Sequence, residues 1–218
     1  MQTMMNDAWR EAFEDDSDKR YFRDAGGPPT DKSAAASLVA PVDHGRYENA
    51  PPQTAWLPDG RRMRLTQPFG YVDKDNLPWP VPVGAIVDGA SIPQVLWSLI
   101  GGPLEGLYRQ ASIIHDYYCD VRTRPWQAVH RVFYEAMLCS GVSEPKAKIM
   151  YYAVYRFGPR WEQESTAATD GLTAVAPITA FKVLPVPSFH ATSFEKAARQ
   201  IFTENPSIKS IEELANLQ

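Results

Sequence analysis

Cysteine is scarce in this sequence of 218 residues, which contains only Cys119 and Cys139. Each lies in a helical pattern, and neither belongs to a CxxC pair or to another metal-ligand spacing. A buried free cysteine behaves as a small hydrophobic residue. We therefore interpret both cysteines as reduced packing residues, and we do not expect a disulfide framework.

Long apolar runs are also lacking. No window approaches the roughly 18 apolar residues of a membrane-spanning helix, and residues 1–10 mix polar and charged types where a signal peptide has an apolar core. The net charge is only -4, from 22 Lys and Arg against 26 Asp and Glu, so no strong positive field attracts a nucleic-acid backbone. We expect a cytoplasmic protein with no membrane span and no nucleic-acid partner.

Aromatic residues, in contrast, are plentiful. The chain has 6 Trp, 10 Tyr and 9 Phe within a hydrophobic content of 44%, which is enough to build a packed interior. The length favours one core with long appendages. We divide the chain into a flexible or partner-bound arm over residues 1–45, a core over residues 46–161, and a linker with a short helical tail over residues 162–218.

The first half of the core has a strand-like pattern. Polar and apolar residues alternate between Arg62 and Val87 around a polar turn at residues 73–76, which predicts a small antiparallel hairpin or sheet. Prolines at 78, 80 and 82 remove backbone donors. The strand that contains them is therefore expected at a sheet edge, or irregular at its start.

The second half of the core predicts a bundle of about four helices, so that the fold class is α+β. Ser91 is suited to an N-cap, and Gly141 and Gly158-Pro159 end helical patterns. The predicted helices cover residues 91–100, 107–121, 125–139 and 144–157.

Both ends of the chain carry apolar residues that require a surface to pack on. The arm holds four isolated aromatics, Trp9, Phe13, Tyr21 and Phe22. The tail predicts two short helices, and their apolar stripe from Phe194 to Phe202 must bury against this core or a neighbouring subunit. We expect a protein partner, or self-association, through these two arms.

The concentrated chemistry of the sequence lies on three elements of the core. His115 and Asp116 are consecutive in an apolar helix, where an unpaired carboxylate is costly to bury. His130 lies on the next helix, and Asp88 ends the strand before a helix N-terminus. Two His and two Asp are the ligand types of a Zn, Mn or Fe hydrolase centre.

Three interpretations of these residues remain open. In the first, a divalent metal is held by His115, Asp116 and His130, with Asp88 as fourth ligand or general base. In the second, the site is structural: the His-Asp pair hydrogen-bonds the loop of Asp88 and caps the helix of Ser91, or Asp88 satisfies backbone amides. In the third, the site has no metal, Ser91 is a nucleophile and His115 is its base.

Two segments carry a resemblance to a known family. The turn Asp88-Gly89-Ala90-Ser91-Ile92-Pro93 and the helix Ala111-Ser112-Ile113-Ile114-His115-Asp116-Tyr117-Tyr118 resemble domain-of-unknown-function family 1353 of bacterial and phage proteins. The resemblance covers about residues 62–161 and implies a phage or prophage context, but no established reaction. The sequence departs from the family pattern at His130, where an aspartate is usual, and at Cys119-Asp120, where a basic residue is commoner.

The residues and the resemblance together lead to two functional hypotheses. The preferred one is a small metal-dependent hydrolase of a phosphoester or amide bond in the host cytoplasm, because adjacent His and Asp in an apolar helix are costly without a site. The alternative is a non-catalytic virion or assembly component whose arms bind neighbouring subunits.

Overall fold

The computed structural model describes residues 42–89, 106–164 and 180–217. Asp88, His115, Asp116 and His130 all lie within these ranges. Ser91, the predicted helix over residues 91–100, and residues 1–41 of the arm lie outside them. The predictions made for those segments therefore remain predictions.

Six strands build two small antiparallel sheets, which confirms the predicted β part of the fold. The strands are β1 (Arg46–Glu48), β2 (Thr54–Trp56), β3 (Met63–Leu65), β4 (Phe69–Val72), β5 (Pro78–Val81) and β6 (Ile86–Val87). Their order is β1-β4-β5 in one sheet and β2-β3-β6 in the other. The proline-rich strand β5 lies at a sheet edge, where its missing N–H groups leave no ladder bond unmade.

The turn between β4 and β5 is organised by Asp73. Its carboxylate accepts hydrogen bonds from the backbone N–H groups of Asp75 and Leu77, at 3.0 and 2.9 Å, and from the Trp79 indole N–H at 3.0 Å. The bond to the indole satisfies a donor that would otherwise be buried without a partner. One side chain therefore closes the turn and anchors the core residue that follows it.

Within residues 106–164, three helices follow in the predicted order. They are α1 (Arg109–Val121), α2 (Trp126–Cys139) and α3 (Glu144–Phe157). Helix α1 packs against α2, and α2 packs against α3. Helix α1 ends at Arg122, whose left-handed φ of 54° turns the chain toward α2. Together with the sheets, these helices confirm the α+β class.

The segment after α3 contains more regular structure than was predicted. A third, two-stranded antiparallel sheet joins β7 (Arg160–Glu164) to β8 (Ala180–Leu184), and two helices follow, α4 (Ala191–Glu204) and α5 (Ile208–Leu217). Both helices pack against α3. The apolar stripe of α4 is buried there, at Phe194, Ala197, Ala198 and Ile201. The tail therefore packs on this chain's own core.

Polar contacts add to the docking of α5. Glu212 accepts hydrogen bonds from the Arg131 guanidinium at 2.5 Å and from the Tyr151 hydroxyl at 2.6 Å. Arg156 donates to the carbonyl of Ala215 at 2.6 Å. Because these contacts join α5 to both α2 and α3, the end of the chain closes the helical layer.

Contacts on the N-terminal side of the core extend to His44 and Gly45. The Tyr71 hydroxyl donates a hydrogen bond to the carbonyl of His44. Gly45 has a φ of +80°, and a Cβ there would lie 2.3 Å from the Val72 carbonyl oxygen, so that only glycine fits.

In the described ranges, none of the helices has the length and apolarity to cross a membrane.

Replacing Phe194 by alanine tests whether the tail belongs to the core. Phe194 is 2% exposed, so its loss leaves a cavity, and we expect the free energy of unfolding to fall by about 3–5 kcal/mol. Leu217 of α5 is 84% exposed. Leu217→Ala should therefore change the free energy of unfolding by less than about 0.5 kcal/mol. Chemical denaturation checks both values. Equal, small effects would show that α4 does not stabilise the core.

Candidate functional site

A stripe of polar side chains runs along α1 on the side that packs against α2. Ser112, His115 and Cys119 are spaced at i, i+3 and i+7, and therefore share one helix face. Their exposed fractions are 0%, 0% and 5%, and His130 of α2 is also 0% exposed. The interface between the two helices thus encloses two imidazoles, a thiol and a hydroxyl.

The two histidines are hydrogen-bonded in series. His130 Nε2 lies 3.1 Å from the Pro159 carbonyl oxygen, and since a carbonyl only accepts, this nitrogen carries the proton. His130 Nδ1 is then an acceptor, and it lies 2.8 Å from His115 Nε2, which donates to it. Gly158 allows this approach, because a Cβ there would lie 3.2 Å from His130 Cε1. The hydrogen bonds therefore determine both tautomers.

Burial also determines the charge of the pair. Removal from water lowers the pKa of His115 to about 3. It lowers the pKa of His130 well below 6.5, and the neighbouring His115 adds to this effect. Both rings are therefore neutral near pH 7, which is the form in which an imidazole binds a metal.

Cys119 completes a group that could hold a metal ion. One ligand atom from each of His115, Cys119 and His130 lies within 4.8 Å of the others. Tetrahedral zinc bonds of about 2.0 Å to nitrogen and 2.3 Å to sulfur require N···S and N···N separations of about 3.5 and 3.3 Å. The Cys119 Sγ to His115 Nε2 distance is 3.6 Å, and the two ring nitrogens, at 2.8 Å, need to open by about 0.5 Å.

The hydrogen bond between His130 and Pro159 is also typical of a histidine that binds a metal. Histidines that bind metals usually donate their other ring N–H to a carbonyl or a carboxylate, which fixes the ring and its tautomer. With Nε2–H bonded to the Pro159 carbonyl, His130 presents Nδ1 to the group. The donor set therefore fits a metal ion, with His115 Nε2, His130 Nδ1 and Cys119 Sγ as ligand atoms.

Asp116 faces a different part of the molecule from His115. Its Oδ2 accepts the backbone N–H of Asp88 at 2.7 Å. Burial raises the pKa of Asp116 to about 7, although hydrogen bonds from the Asp88 and Gly89 amides oppose this. Asp88 itself pairs with Arg61 at 3.1 Å. The carboxylate of Asp116 thus ties the end of β6 to α1.

The predicted site residues that the structure describes lie in two separate places. His115 and His130 meet in the buried group, whereas Asp116 and Asp88 meet each other at the end of β6 and are not part of it. Ser91 lies outside the described residues. Cys119 is buried and reduced, as expected, but its interpretation as a packing residue overlooked the His-x-x-x-Cys spacing, which places it one turn from His115 on the same face.

The fold and the site define an α+β domain with a buried His, Cys and His centre between two helices. Residues 63–154 match the family described as "Protein of unknown function (DUF1353)". The predicted resemblance is therefore confirmed, and the match includes α1, α2 and the whole centre. No solved structure matches the chain.

Two relatives come from the bacterium Sinorhizobium fredii. "Uncharacterized protein y4jT" is 42% identical over 149 residues, which are 68% of this chain and 44% of the relative. "Uncharacterized protein y4iH" is 48% identical over 103 residues, which are 47% of this chain and 43% of the relative. The aligned part thus spans less than half the length of each relative. The predicted phage or prophage context stays a prediction.

The neutral histidine pair predicts a dependence of stability on pH in the metal-free protein. Below the ordinary histidine pKa of 6.5, the unfolded chain takes up protons that the buried rings do not. The contribution of the two histidines to the free energy of unfolding should therefore fall as the pH is lowered from 7 to 5, while protonation of Asp116, whose pKa is raised to about 7, opposes this fall. The double variant His115→Gln/His130→Gln should lose much of this slope in urea denaturation, and an identical slope would contradict the neutral pair.

Proposed function

We propose that this domain is a small metal-dependent hydrolase whose metal is bound by His115, Cys119 and His130. The observation that carries the proposal is the convergence of two neutral, oriented imidazoles and a thiol at 2.8 and 3.6 Å. A metal ion would replace the proton between the two rings and join all three side chains. This function accounts for a polar group that is otherwise costly to place in a core.

The number of ligands favours a catalytic metal over a structural one. Structural zinc sites are closed by four protein ligands, whereas catalytic sites have three and leave one position for water or substrate. In the part of the chain that the structure describes, three side chains converge. A metal in such a site lowers the pKa of bound water and supplies hydroxide near neutral pH.

The thiol narrows the choice among the predicted metals. Thiolate ligands select zinc and other soft or borderline ions, whereas manganese prefers carboxylate and water oxygens. Because the described group contains Cys119 and no carboxylate, we favour zinc among Zn, Mn and Fe. The thiol must lose its proton when the metal binds, and the charge of the ion compensates the buried thiolate.

Asp116 is assigned a supporting role outside the centre, since the group of converging ligands does not include it. It follows His115 directly, so that its side chain leaves α1 about 100° around the helix axis. The bond from the Asp88 amide holds Oδ2 and fixes the orientation of the carboxyl group. The substrate class remains a phosphoester or an amide, and the activity of the complete protein belongs to the same proposal.

Metal analysis tests the centre directly. Purified wild-type protein should contain about one zinc per chain, whereas His115→Ala and Cys119→Ser should lose most of it because each removes a ligand. Cys139→Ser is the matched control, since Cys139 is the other cysteine and lies outside the group. It should retain the metal, as measured by elemental analysis. Metal-free wild-type protein after zinc addition would rule out the centre.

Asp116→Asn tests this supporting role against a catalytic one. Asparagine can still accept the Asp88 amide through its carbonyl oxygen, so that the melting temperature should change by only a few degrees. Turnover of an activated phosphodiester or amide should also stay close to the wild-type rate, whereas loss of a general base would lower it by about 10²–10⁴-fold. Zinc content should be unchanged. If zinc-loaded wild-type protein hydrolysed neither probe, the metal would instead have a structural role that joins α1 to α2.

A further inference from the structure

The stripe on α1 contains one polar group that the centre described above does not use. The hydroxyl oxygen of Ser112 is buried and has no hydrogen-bond partner in the described structure. The side chain is 0% exposed. A buried hydroxyl without a partner is destabilising, because it has lost its hydrogen bonds to water, so its presence requires a reason.

The position of Ser112 next to the metal centre provides a reason for this unpaired hydroxyl. It precedes His115 by one helical turn and shares the α1 face of His115 and Cys119, the face that packs on α2. Side chains at i and i+3 on a helix are neighbours, with about 5–6 Å between their Cβ atoms. Its backbone N–H is already satisfied by the Tyr108 carbonyl at 2.8 Å, which leaves only the hydroxyl without a partner.

The proposed three-ligand centre, in turn, needs a hydrogen-bond partner for the water in its fourth position. A tetrahedral ion bound by two nitrogens and one sulfur has a fourth position, which water fills in the absence of substrate. A water in a buried site needs two to four polar partners. One partner would be the ion, and the described group provides no further carboxylate or histidine to serve as another.

We propose that Ser112 is a positioning residue that hydrogen-bonds the water in the fourth position of the metal centre. Its hydroxyl accepts a hydrogen bond from this water, and donates one when the water has lost a proton. This inference rests on the proposed metal centre and adds a residue to it. It also explains why the core tolerates a hydroxyl without a protein partner.

Cobalt provides a spectroscopic test of the proposal in the whole 218-residue chain. The metal is removed, Co²⁺ alone is added back, and the visible absorption is followed against metal concentration and pH for wild type, Ser112→Ala and Ser112→Thr. Alanine should weaken Co²⁺ binding about 10-fold, as expected for loss of a group that supports a metal site. It should also move the pH-dependent spectral transition to higher pH, because hydroxide loses a donor. Threonine keeps the hydroxyl and should preserve both.

The metal-free proteins control for folding. Ser112→Ala removes an unpaired buried hydroxyl, so its melting temperature without metal should equal or exceed that of the wild type. Unchanged Co²⁺ affinity and an unchanged spectral transition in Ser112→Ala would overturn the role of Ser112 while leaving the metal centre intact. Failure of the wild type to bind Co²⁺ would instead overturn the centre itself, and the role of Ser112 with it.

Discussion

The packing of α1 against α2 is the contact on which the site depends. It removes His115 and His130 from water completely, and desolvation makes a charged imidazole too costly at that depth. The rings must then be neutral and must find their hydrogen bonds inside the protein. They do so through each other and through the Pro159 carbonyl. The chain must therefore place both α1 and Pro159, which directly precedes β7, against α2.

The surrounding elements hold this helix pair in place from several sides. On one side, Asp116 accepts the Asp88 amide and joins β6 to α1. On the other, Glu212 joins α5 to Arg131 of α2. These contacts connect the sheets and the tail to the helices that carry the histidines. A metal ion at the centre would add a further link between α1 and α2, and would couple metal binding to stability.

Local signals in the sequence predicted much of the architecture. Helices α1, α2 and α3 have bounds within two residues of those predicted, and Gly141, Gly158 and Pro159 mark the ends of α2 and α3. The β7 and β8 pair was missed. Its strands are separated by 15 residues, and Arg160–Glu164 is mostly polar, so that neither alternation nor a short turn marks it.

The sequence by itself determined the α+β class, the family resemblance and the positions of His115, Asp116 and His130. Those depend on residue type, spacing and chain breakers, which act over a few residues. The tertiary structure alone decided that His115 meets His130, that Asp116 turns to the Asp88 amide, and that Cys119 joins the histidines. The physical reason is that consecutive helical residues point about 100° apart. Only the packing of the neighbouring elements decides which of those directions leads to a common site.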